Sequence, residues 1–71
     1  MNKLNTPAQQ AIDLLGGVSE TKAAFVRHNA FISVQSIYKW LKKGYVPPGR
    51  AYLLSILVDG KVSLSDLLKK P

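Results

Sequence analysis

Residues 33–44 read Ser33-Val34-Gln35-Ser36-Ile37-Tyr38-Lys39-Trp40-Leu41-Lys42-Lys43-Gly44. Ile37, Trp40 and Leu41 recur at i, i+3 and i+4, the spacing of one buried helical stripe. Val34, Gln35, Tyr38, Lys39 and Lys42 fall toward the other side. Ser33 carries the hydroxyl of an N-cap, and Gly44 accepts the left-handed conformation that closes a helix. Lys42 and Lys43 stand at the negative end of the helix dipole. The pattern predicts an amphipathic helix beginning at Ser33, anchored in the core by Trp40 and presenting a basic, hydrogen-bonding face.

Upstream, the chain is punctuated as two further helices. Thr6-Pro7 pairs an N-cap with a proline at the first helical position, and Ala8, Ala11, Ile12 and Leu15 follow at helical spacing up to Gly16-Gly17. A second start is expected at Ser19, whose hydroxyl caps the next turn, with Glu20 at the positive end of the dipole. That helix carries Ala23, Ala24, Phe25 and Val26 and fades near Arg27 or His28. Asn29 is the candidate left-handed residue of the turn that follows, since no glycine is present there.

Downstream, Val46-Pro47-Pro48 forces an extended connector, and Pro48 opens a fourth helix reaching about Val58. Asp59-Gly60 is a turn. Ser63-Leu64-Ser65-Asp66 resembles a capping box whose closing residue is Asp rather than Glu or Gln, and it introduces a short last helix. Residues 55–64 also fit a β-hairpin around an Asp-Gly type I′ turn. Helices are the preferred reading, because Pro48 supplies a start and Ala51, Tyr52, Leu53 and Leu54 do not alternate. The fold class expected is all-α, five short helices in one domain over 1–71, with a helix-turn-helix at about 19–43.

The charge distribution narrows the function. The 71 residues carry a formal net charge of +6. The segment 21–58 holds six cations (Lys22, Arg27, Lys39, Lys42, Lys43 and Arg50) and no acid. A solvated face normally mixes signs, so an anionic partner is expected. There is no cysteine, which excludes disulfides and thiolate metal sites. One histidine and four carboxylates leave little for a metal cage, so no metal and no cofactor are expected. No nucleophile, base and orienting group come together, and His28 reads as a turn residue; an enzyme acting on a small-molecule substrate is not expected. The apolar runs are too short to span a membrane and residues 1–5 lack a signal-peptide core, so a cytoplasmic protein is expected.

Two short helices joined by a turn, the second basic, form the helix-turn-helix plan, in which the second helix lies in the major groove and its N-terminal residues meet base edges. The base-reading candidates are Ser33, Val34, Gln35, Ser36, Tyr38 and Lys39. Gln35 can bond adenine through both amide groups, Val34 can touch a thymine methyl, and Lys39 can reach guanine acceptors. The phosphate-holding candidates are Lys42, Lys43 and Arg50, with Ser19, Thr21 and Lys22 from the preceding helix.

Residues 33–44 resemble the recognition helix of the Cro proteins of lambdoid phages and of the related YdaS-type family. Residues 45–50 (Tyr45-Val46-Pro47-Pro48-Gly49-Arg50) are similar to that family's link into its fourth helix. Residues 59–67 resemble its closing segment, and 17–24 its first motif helix. The resemblance implies a lambda-repressor-like core and a phage or prophage transcriptional repressor that binds operator DNA, often as a dimer on near-palindromic sites. One departure is visible: Ala24 and Ile37 are thirteen apart, which makes the turn about three residues longer than the motif's usual one and leaves it without glycine. Pairing has separate support in nine apolar residues between Leu53 and Leu68. Ile56, Val58, Val62, Leu64 and Leu68 are the candidates to face a second subunit. The alternative is an antitoxin-like or other protein-interaction module with weak DNA binding.

Overall fold

The computed structural model describes residues 6–70. Residues 1–5, the stretch read as lacking a signal-peptide core, and Pro71 lie outside the described residues. The described chain is all-helical, with no strand: α1 (Pro7–Leu15), α2 (Val18–Arg27), α3 (Val34–Lys43), α4 (Pro48–Leu57) and α5 (Leu64–Leu68).

Local chemistry sets most of the boundaries. Thr6 Oγ1 accepts from the Gln9 amide at 3.2 Å, ahead of Pro7 at the first helical position. Gly16 closes α1 in the left-handed region, at φ 103°, where a Cβ would be strained. Ser33 Oγ accepts from the Ser36 amide at 3.1 Å, and Gly44, at φ 84°, donates to the Trp40 carbonyl at 2.8 Å. Ser63 Oγ accepts from the Asp66 amide at 3.2 Å to open α5. Asn29 is left-handed at φ 60°, as its position in a glycine-free turn predicts. The Ala30 amide reaches back to the Phe25 carbonyl at 2.9 Å and so satisfies an otherwise free helix end.

The start of α2 differs from expectation. Its N-cap is Gly17, not Ser19, and no side chain caps it. Only Gly16 and Gly17 separate α1 from α2, so the chain re-enters a helix at Val18 and Ser19 already sits inside the first turn.

The hairpin alternative for 55–64 is also excluded. Asp59 and Gly60 do take positive φ (56° and 73°), the pair a type I′ turn requires, and Lys61 N donates to Val58 O at 3.1 Å. What precedes that turn is helix, because Leu54 and Val58, four apart, both enter the core. Gly60 N bonds back to Ser55 O at 2.8 Å and ends α4 there.

The core gathers one to three residues from every helix: Ala8, Ala11 and Ile12; Phe25; Ile37 and Trp40; Ala51 and Leu54; Leu67. Val46, Val58 and Val62 enter it from the connections. The Phe25 and Trp40 rings meet at 5.7 Å, tilted by 48°, a favourable aromatic geometry. The Val46 amide donates to the Leu67 carbonyl at 2.9 Å, tying the segment after α3 to the last helix. Two of the expected pairing residues are thereby reassigned. Val58 and Val62 are 5% and 4% exposed and pack inside the chain's own core, because the Asp59-Gly60 turn folds both inward. Ile56, Leu64 and Leu68 stay exposed. No helix among the described residues is long and apolar enough to cross a membrane.

Candidate nucleic-acid interface

α3 is divided lengthwise. Ile37 and Trp40 are buried, while Gln35, Tyr38, Lys39, Lys42 and Lys43 are exposed. At 100° per residue, Gln35, Tyr38, Lys39 and Lys42 form one outward arc, with Val34 and Ser36 on its flanks, both half-buried. Ser33 and Ser36 are joined at the start of the helix, their hydroxyl oxygens 3.1 Å apart, and Ser33 Oγ is already engaged in capping. The outward arc therefore places an amide, a phenol and two ammonium groups side by side, on a helix that the core holds by Ile37 and Trp40.

The α3 backbone lies close against α1 and α2 and stands off from α4 and α5, with which Ile37 and Trp40 share the core. Its arc is thus left open to solvent. The connection from α2 occupies residues 28–33, against about three to four residues in the usual motif turn. The extra length is spent on the Asn29 helix ending and on inserting Ile32, 9% exposed, under the start of α3.

The phosphate candidates divide. Lys42 and Lys43 are exposed at the last turn of α3, and Lys22 and Ser19 are exposed, three apart, on α2. Arg50 is exposed in the first turn of α4 and shares a concavity with Phe31, Ser33 and Ser36 at the start of α3. Thr21 is not available. It is 0% exposed, and its hydroxyl donates to the Gly17 carbonyl at 2.8 Å. The reason is helical spacing: Thr21 lies three and four residues before Ala24 and Phe25 and shares their buried stripe.

Three residues at this surface escaped the sequence reading. Phe31 is 72% exposed in the connection before α3. Tyr45 and Lys70 meet beside the end of α3, the Lys70 ammonium 5.5 Å from the Tyr45 ring centre. An aromatic residue outside every helical stripe was the available signal for Phe31. Lys70 carried none, since it is tertiary packing, through Leu67 in the core and the Val46–Leu67 bond, that brings the tail to α3.

Among the described residues no group of three or more His, Cys, Asp or Glu side chains is arranged to hold a metal. Comparison of the chain with protein-family models, curated proteins and solved structures gives no match.

Proposed function

We propose that the chain is a sequence-specific double-stranded DNA-binding protein, a transcriptional repressor of phage or prophage type, in which α2 and α3 act as a helix-turn-helix and α3 enters the major groove. The observation that carries this reading is the composition of α3's exposed arc within a segment, 21–58, that contains six cations and no acid. A solvated helix with no anionic partner has no reason to exclude carboxylates so completely. Ser33, Val34, Gln35, Ser36, Tyr38 and Lys39 then meet base edges, and Lys42, Lys43 and Arg50 hold phosphates, with Ser19 and Lys22 beside the backbone that α2 crosses. The resemblance of residues 33–44 to Cro-type recognition helices supports the same assignment. The exposed Ile56, Leu64 and Leu68 support pairing on a near-palindromic operator.

A selection from random duplexes tests the proposal. An enriched motif is the expected result, and a two-fold symmetric one supports pairing. Recovery of no motif refutes sequence-specific binding. The second reading, an antitoxin-like interaction module, draws on the same exposed apolar residues together with Tyr52. It predicts a stable complex with a different protein and sequence-indifferent DNA affinity.

A further inference from the structure

Because the α3 backbone stands off from α4 and α5, a trough runs along its Ser36–Trp40–Lys43 flank. It consists of two concavities, of about 690 and 430 Å³, that share Ser36, Trp40 and Pro47 and so adjoin. Arg50 and Phe31 stand at the end near the start of α3. Lys39, Lys43, Tyr45 and Lys70 stand at the other. The larger concavity has a mainly apolar lining and the smaller a mixed one, and the cations come from three separate parts of the chain: α3, α4 and the tail.

We infer that this trough seats one sugar–phosphate strand of the duplex, with Arg50 and Lys70 holding phosphates at its two ends and Phe31 and Tyr45 packing against deoxyribose. The inference rests on the DNA-binding reading above and adds to it a backbone seat and three residues, Phe31, Tyr45 and Lys70, with roles there. A deoxyribose–phosphate chain alternates an apolar face with an anion, which is the complement of a lining that mixes apolar surface, Trp40 and Pro47 among it, with Lys39, Lys43, Arg50 and Lys70. α3 has ten residues, about 15 Å of helix, which corresponds to roughly four nucleotides of duplex rise. The Lys70–Tyr45 contact holds the tail ammonium at the rim before any DNA arrives.

The test is the salt dependence of affinity, measured by fluorescence anisotropy on a labelled random-sequence duplex of about two helical turns. Lys70→Gln and Arg50→Gln are each expected to reduce the slope of log affinity against log salt by about 0.9, the signature of one lost phosphate contact. Lys61→Gln removes the same charge from a different concavity, lined by Gln10, Asp13 and Leu14, and is expected to leave the slope unchanged. Phe31→Ser is expected to weaken binding about fivefold, through lost apolar burial, with no change in slope. All four side chains are exposed, and an unchanged far-ultraviolet circular dichroism melt confirms that each variant folds.

If the wild type binds with a salt-dependent slope but Lys70→Gln behaves like Lys61→Gln, the seat is refuted while the reading of α3 stands. If a single strand binds more tightly than the duplex, the seat is likewise refuted. If the wild type shows no salt-dependent duplex binding, the DNA-binding reading falls and the seat falls with it.

Discussion

Thr21 separates a buried hydroxyl from a DNA-binding one, and its substitution has a calculable outcome. The side chain is 0% exposed, and its hydroxyl has one protein acceptor, the Gly17 carbonyl at 2.8 Å. Thr21→Val removes that bond, a loss of about 1 kcal/mol. It also replaces a buried hydroxyl with a methyl, which recovers about 0.8 kcal/mol. The Gly17 carbonyl is not orphaned, because it still accepts from the residue 21 amide at 2.9 Å. The net change is therefore within about 0.5 kcal/mol of zero. Thr21→Ser keeps the hydrogen bond but deletes a buried methyl, and costs about 1 kcal/mol. In a domain of this size that lowers Tm by about 4–8 °C. Thermal unfolding followed at 222 nm should thus rank wild type and Thr21→Val together, with Thr21→Ser below. Neither variant should alter duplex affinity, since the hydroxyl does not reach solvent. A fall in affinity for Thr21→Val with a shallower salt slope would show that the hydroxyl meets a phosphate after all, and would overturn the inward placement of this side of α2. A Tm loss above about 10 °C for Thr21→Val would equally refute the accounting.

Other outcomes follow from the same geometry. Gln35→Ala should weaken binding to the selected operator by roughly 1–3 kcal/mol and relax the preference at one base pair, while leaving the salt slope intact, as read by competition anisotropy. Asn29, at φ 60°, should tolerate Gly with little change, whereas Asn29→Ala should cost about 1 kcal/mol in denaturant titration because alanine resists the left-handed region. Ile56→Asp should leave the monomer folded and remove any concentration dependence of operator binding, whereas Val62→Asp should unfold the chain; sedimentation and circular dichroism distinguish the two. An unfolded Ile56→Asp would show that this side chain belongs to the core.

What the sequence disclosed was set by how local the deciding chemistry is. Thr6, Ser33 and Ser63 act on amides three residues away, and Gly16, Asn29 and Gly44 act through their own φ, so each could be read from its neighbours alone. The exposed arc of α3 was legible for the same reason, because helical period alone separates Ile37 and Trp40 from Gln35, Tyr38 and Lys39. The start of α2 was not legible. Gly17 and Ser19 are both good caps, and helical spacing puts Thr21, Ala24 and Phe25 on one face from either start; what decides is that Gly17, at φ 110°, turns the chain straight out of α1 into α2. Val58 and Val62 failed for a related reason: an apolar residue is the same signal whether its partner lies in its own chain or in another. Lys70 depends on a contact with Tyr45, far from it in sequence, which periodicity does not encode, whereas Phe31 was signalled only by lying outside every helical stripe.

The bond from the Val46 amide to the Leu67 carbonyl has a consequence for how the protein can be watched. α5 has five residues, too few to hold helical structure unaided, so it stays folded only while Leu67 remains in the core. When it lifts away, the Val46 amide loses its acceptor and becomes free to exchange its proton for deuterium. That single amide, placed directly after α3, is a natural clock for detachment of the C-terminal end. Its exchange rate reports opening of the chain's last segment separately from melting of the whole, and a strand held in the trough beside it would slow the clock without touching the amide itself.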